Sequence, residues 1–177
     1  MKKNNSLIIL AVVIALLVGV VLSLKVNKEN KTSVPSQSKP NATIDTRERT
    51  KIFQSKLLKL NIAVPTTFNV KDEGIRLLIS NPDGMIILSR NGTQFNLLDD
   101  YIKDFDIKHK TQVLNEKMLT INAHPAFNRI MKYPGSTPVG DKIYFIYVGD
   151  AVYHISTSSP VLFDDLDQIA QSFRYTP

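Results

Sequence analysis

The chain has 177 residues, with 22 Lys+Arg against 16 Asp+Glu for a net charge of +6, and it contains neither Cys nor Trp. A chain of this length holds one folded domain rather than two. The lack of Cys excludes disulfides, thiol nucleophiles, Cys-ligated zinc and thiol-linked lipids, and charged residues at only 21% beside abundant Ile, Leu and Val exclude a wholly disordered chain.

Residues 1–6 form a short basic N-terminus carrying Lys2 and Lys3. From Leu7 to Leu24 no residue is charged, and 14 of these 18 residues are Leu, Ile or Val. As a helix the run would span about 27 Å, close to the roughly 30 Å hydrocarbon core of a bilayer. Its apolar residues favour insertion by roughly 4–8 kcal/mol. A cleaved signal peptide is the competing reading. The run is longer than the usual apolar region of a signal peptide, and no Ala-x-Ala site follows; Val21-Leu22-Ser23 is a poor substitute. The expectation is an uncleaved signal-anchor helix over 7–24, whose partner is the lipid bilayer. The protein would cross a bacterial plasma membrane once, with its C-terminal part outside the cytoplasm.

Residues 25–46 read as a disordered tether: Lys, Asn, Ser and Thr dominate, Pro35 and Pro40 interrupt, and almost nothing is apolar. The tether and the N-terminus hold most of the excess positive charge. From Arg47 onward the chain carries 16 basic and 14 acidic residues, so charge makes no case for nucleic acid as a partner.

Residues 47–177 read as strands with two helices. Leu58, Leu60, Ile62 and Val64 alternate with polar or small residues, the pattern of a half-buried strand, and Pro65 stops it. The apolar runs 75–80 and 85–90 flank Asn81-Pro82-Asp83-Gly84, which predicts a hairpin. Asn91-Gly92 predicts another turn. Leu97, Leu98, Tyr101, Ile102 and Phe105 then fall at helical spacing, with Asn96 as the N-cap and Asp99 and Asp100 in the first turn. Next comes a short hairpin, 111–114 with 118–122, around Asn115-Glu116-Lys117. A strand over 126–132 follows Pro125, and a Pro/Gly-rich loop runs from Tyr133 to Asp141. The runs 142–148 and 151–157 flank Gly149-Asp150, a two-residue hairpin connection. The first of these is apolar on both faces and therefore belongs inside the sheet. Pro160 starts a last helix that buries Leu162, Phe163, Leu166, Ile169, Ala170 and Phe173. The fold class is α+β: an antiparallel β-sheet sandwiched by helices.

Three segments resemble a known family. Phe53 to Val70, ending Asn61-Ile62-Ala63-Val64-Pro65-Thr66-Thr67-Phe68-Asn69-Val70, is similar to the opening of PsbP-like domains. Ile121-Asn122-Ala123-His124-Pro125-Ala126 resembles their strand and tight turn before a long hairpin. Asp167-Gln168-Ile169-Ala170-Gln171-Ser172-Phe173-Arg174-Tyr175 resembles their terminal helix with its Ser-Phe-Arg ending. The sequence departs from the family pattern at Phe68, where Trp is frequent, and at Ala123-His124, where a Gly is usual. The resemblance implies an antiparallel sheet between helical layers. The family includes an extrinsic photosystem II subunit, a Ran-binding import factor and many bacterial envelope proteins, and a shared fold implies no shared activity.

Candidate chemistry is sparse. His109, His124 and His154 are not at metal-ligand spacing and no Cys completes a shell. Ser156, Ser158 and Ser159 lack a nucleophile elbow and read as helix-start chemistry before Pro160. Asp100 and Asp104 lie one helical turn apart but without the loop that calcium needs, and Asp164, Asp165 and Asp167 begin the last helix. No residue is assigned a catalytic, cofactor or metal role. The loop after Tyr133 is the candidate recognition site, with Arg129, Lys132 and Tyr133 as cationic and aromatic contacts. The expected function is a non-enzymatic binding or structural module with an envelope protein partner. The alternative is an enzyme or small-molecule sensor whose pocket is assembled from dispersed residues.

Overall fold

The computed structural model describes residues 49–177. The readings for 1–6, 7–24 and 25–46, and the first two residues of the 47–177 domain, lie outside the described residues. Among the described residues no helix is long and apolar enough to cross a membrane.

The elements run β1 (Thr50–Ser55), β2 (Leu60–Pro65), β3 (Asn69–Asp72), β4 (Arg76–Asn81), β5 (Gly84–Gly92), α1 (Leu98–His109), β6 (Gln112–Ile121), β7 (His124–Lys132), β8 (Asp141–Val148) and β9 (Ala151–Thr157). A 3-10 turn (Pro160–Leu162), α2 (Phe163–Gln171) and β10 (Arg174–Tyr175) complete the chain. The strands form two antiparallel sheets among the described residues, one of three strands (β1-β2-β10) and one of seven (β3-β4-β5-β9-β8-β7-β6). The sequence reading of a single sheet is thus refined to a large sheet with a smaller one.

One face of the large sheet builds the main core. Leu77 and Ile79 of β4, Ile86 and Leu88 of β5, Tyr144 and Ile146 of β8, and Tyr153 and Ile155 of β9 meet Leu60, Ile62 and Val64 of β2 and the buried stripe of α2. Each such side chain contributes about 1.5–3 kcal/mol by leaving water. Period-two alternation selects these residues, so the same pattern fixes which side chains look the other way. Of the stripe expected on the last helix, Leu162, Leu166, Ile169, Ala170 and Phe173 are buried, whereas Phe163 is only half-buried beneath Lys142. Polar ties lock the layers: the Tyr153 hydroxyl donates to the Leu58 carbonyl at 2.7 Å. Lys142 pairs with Asp167 at 2.7 Å, and the Tyr144 hydroxyl donates to the same carboxylate at 2.8 Å.

The hairpins at Pro82-Asp83 and Gly149-Asp150 form as read, with Asn81 opposite Gly84 and Val148 opposite Ala151. Three local readings are corrected. Asn91-Gly92 is not a turn but the end of β5, because β9 pairs with it through Val152 and Ala151. Residues 112–121 are not a hairpin but one strand, bulged between Val113 and Asn115 and paired along its length with β7. The turn falls instead at Asn122-Ala123, with φ of 50° and 69°, the doubly left-handed conformation of a type I′ hairpin. The helix begins after Leu97, which makes no side-chain cap bond, so Asn96 is not the N-cap. Strands β1, β3 and β10 carry too little periodicity to be read from sequence.

Candidate functional site

The second face of the large sheet is only partly covered. Helix α1 lies on it, burying Leu98 and Ile102 against Phe127 and Met131 of β7, Ile143 and Phe145 of β8, and Val152 of β9. The helix stops at His109, where Lys110 takes a left-handed conformation (φ 52°) and its N–H caps the Asp106 carbonyl. Past that stop the sheet face is open. Two adjoining clefts occupy it, of about 320 and 340 Å³, and Tyr133, Asp141 and Ser156 line both. The first is bounded by β5 at Met85 and Ile87 and by Ser158-Ser159. The second is bounded by Phe105 and His109 of α1 and by Met131, Ile143 and His154 of the sheet.

Strand register explains the composition of this floor. One rung runs Ile87–Ser156–Ile143–Arg129–Glu116 across five strands, and directly opposed residues share a face. The neighbouring rung holds Ser89–His154–Phe145–Phe127. His154 and Ser156 are therefore polar residues two apart on one face of a central strand, a pattern already present in the sequence but read there as two separate residues.

Each polar group has a distinct state. His154 Nε2 shares a hydrogen bond with the Tyr101 hydroxyl at 2.8 Å, and Phe145 and Phe105 stand edge-on to its ring. Burial, with a smaller contribution from His109, brings its pKa down to about 4, so it is neutral near pH 7. Asp141 is 7% exposed. Its Oδ2 accepts from Ser136 Oγ at 3.3 Å, while its buried Oδ1 has no hydrogen-bond partner among the described residues. Burial, a side-chain hydrogen bond with Asp141 and the charge of that carboxylate push the Tyr133 phenol up to about 12.

Of the three residues expected at the recognition loop, only Tyr133 reaches the clefts. Arg129 is corrected from a surface contact to a buried clamp. It is 2% exposed, its Nη1 and Nη2 donate to Asp106 at 2.8 Å each, and Nε lies 2.7 Å from Glu116. Lys132, the last residue of β7, is half-buried and, following the cleft-facing Met131, points to the opposite face. Asp100 is exposed and Asp104 half-buried, and they are ion-paired with Lys103 and Lys108 respectively. No group of three or more His, Asp or Glu among the described residues is placed to hold a metal ion. Ser159 makes no helix cap. Its hydroxyl donates instead to the Asp83 carbonyl at 2.9 Å, joining the start of the last helix to the β4–β5 turn. Asp141 was missed by sequence reasoning because it looked like the end of a loop, and only its burial sets it apart.

An antiparallel sheet with a helix on one face, and a helix plus a small sheet on the other, is a PsbP-like fold. The solution structure of cyanobacterial PsbP (CyanoP) from Synechocystis has it too, with a TM-score of 0.51 and 10% sequence identity over 78% of this chain and 97% of that one. A crystal structure of a Pseudomonas aeruginosa protein of unknown function is similar at a TM-score of 0.46 and 15% identity, over 72% of this chain and 98% of that one. No family model and no curated protein matches the sequence.

Proposed function

We propose that the protein is a membrane-anchored, non-enzymatic binding module: residues 7–24 hold it in a bacterial plasma membrane, 25–46 give it reach, and the domain engages a partner outside the cytoplasm through the clefts beyond α1. The observation that carries this reading is the open sheet face past His109, with Asp141 Oδ1 in its wall lacking a hydrogen-bond partner among the described residues. Buried polar atoms in folded proteins nearly always have partners, so one that lacks a partner beside a cleft marks a place for a ligand. Binding is favoured over catalysis by His154. A histidine with a pKa near 4, held by Tyr101, is a weak base at neutral pH.

A second reading, a small-molecule sensor, is favoured by cleft volumes at the lower end of the range that such ligands occupy. Crosslinking and pulldown from native membranes, with the full-length protein and its Ser156→Arg variant, separates the outcomes. The arginine would fill the point where the clefts meet. Loss of a crosslinked protein partner with retained membrane sedimentation supports the module. An unchanged partner set refutes the cleft as its contact. Protease digestion of the domain in intact cells supports the outward orientation, and protection refutes it.

A further inference from the structure

Which chemistry fits these clefts follows from what lines them. No Lys or Arg does, among the residues that form either wall. The one carboxylate there, Asp141, makes no ion pair among the described residues; Ser136 donates to its Oδ2, the Tyr133 hydroxyl also bonds the carboxylate, and its buried Oδ1 has no hydrogen-bond partner among the described residues. A carboxylate sheltered from water without a countercharge is costly, and a cationic ligand relieves that cost. Beside it stands Tyr133, 41% exposed and common to both clefts, whose ring face attracts a cation. Ser156 Oγ, also common to both, makes no side-chain hydrogen bond among the described residues and offers a second acceptor. The remaining wall is apolar: Phe105, Met131 and Ile143 on one side and Ile87 on the other.

The kind of cation is selected by geometry. A guanidinium forks best onto both oxygens of a carboxylate with open lone pairs, and here Oδ2 already spends one of its acceptor sites on Ser136, which favours a donor that needs only Oδ1. A metal ion such as calcium requires six to eight oxygen ligands, and no cluster of three acidic or histidine side chains is present among the described residues. An ammonium is a compact point charge with three donors, and it can take one carboxylate oxygen, one hydroxyl and an aromatic face together.

We infer that the clefts beyond α1 bind a primary ammonium group carried on a short apolar stem, with Asp141 Oδ1 and Ser156 Oγ as acceptors, the Tyr133 ring against the charge, and Phe105 and Ile143 along the stem. This assignment rests on the reading of the clefts as the binding site. The ammonium belongs either to a free amine or to a lysine side chain of a polypeptide.

The test uses the full-length protein in detergent micelles at pH 7.5, labelled at Met and Ile methyl groups and titrated by NMR. The probes are n-butylammonium, its neutral isostere 1-butanol and its anionic counterpart butyrate. Butylammonium is expected to shift the Met131, Ile87 and Ile143 methyls saturably, with the other two at least about tenfold weaker. Asp141→Asn abolishes that preference. Tyr133→Leu weakens butylammonium about threefold or more, while Tyr133→Phe retains it. Nα-acetyl-lysine amide in place of butylammonium distinguishes the sources: equal or tighter binding supports a lysine side chain, and exclusion supports a free amine. The inference is overturned by butanol matching butylammonium, or by the absence of any saturable shift with butylammonium. The isostere comparison needs no variant, so a misfolded Asp141→Asn protein does not rescue the idea. Equal binding of butanol sinks only the charge assignment, whereas an unchanged partner set with Ser156→Arg sinks the cleft as the module's contact site.

Discussion

Removing Asp106 should destabilise the domain more than removing the arginine it holds. Arg129 is 2% exposed in its side chain, whereas Asp106 and Glu116 are 29% and 40% exposed. Asp106→Ala strands a guanidinium out of water with Glu116 as its remaining partner. Breaking a fully buried pair costs about 3–5 kcal/mol, and the partial exposure of the acids together with the surviving partner brings this to about 2–3 kcal/mol. Arg129→Met removes the desolvated charge itself and leaves two carboxylates that water can reach, so its cost is about 1 kcal/mol. The double variant should cost less than the sum of the two by about 1–2 kcal/mol. All six tyrosines lie in the described residues and the chain has no Trp, so tyrosine emission during urea unfolding reports this domain alone. Acid supplies an internal check. Burial alone would raise the Asp106 carboxyl, but hydrogen bonds from Arg129 and Thr111 and the guanidinium charge outweigh it and hold it low. The stability it contributes is therefore present above its unfolded value of 3.8 and disappears as pH falls through the lower folded value. The deficit of Asp106→Ala should shrink over that window. Strictly additive costs, or an Asp106→Ala protein within about 0.5 kcal/mol of wild type, would refute the clamp.

Two further outcomes are expected. Ala123→Gly should raise the urea midpoint by about 0.5–1 kcal/mol equivalent, because Ala123 sits at φ 69° in the β6–β7 turn, where only glycine avoids the side-chain clash; a lowered midpoint would contradict the type I′ turn. His154 should titrate near pH 4 by proton NMR rather than near 6.5. Its folded value is depressed and it stays neutral, so the stability it contributes is complete above 6.5 and falls away by roughly 2–3 kcal/mol as pH drops toward 4. His154→Gln should flatten that decline, and a midpoint at or above 6.5 would show the imidazole to be solvated.

What the amino-acid order alone determined was local. The alternation from Leu58 to Val64, the turn chemistry of Pro82-Asp83 and Gly149-Asp150, the doubly apolar 142–148 run and the helical stripe from Leu162 to Phe173 are each readable within ten or so residues, because side-chain direction follows backbone period. The α+β class was legible for the same reason, whereas the PsbP-like likeness rested on three short motifs, at 53–70, 121–126 and 167–175. Strand β6 was not, since the first seven of its ten positions face solvent on both sides and no period survives there; only its pairing with β7 keeps Asn115-Glu116-Lys117 extended. Asn91-Gly92 likewise turns into strand because β9, some sixty residues later, supplies its hydrogen-bond partners. The clefts and the Arg129 clamp belong wholly to tertiary structure. They join β5, the end of α1, the close of β7, the start of β8 and the last residues of β9, and where those segments meet depends on sheet order and register, which no local window contains.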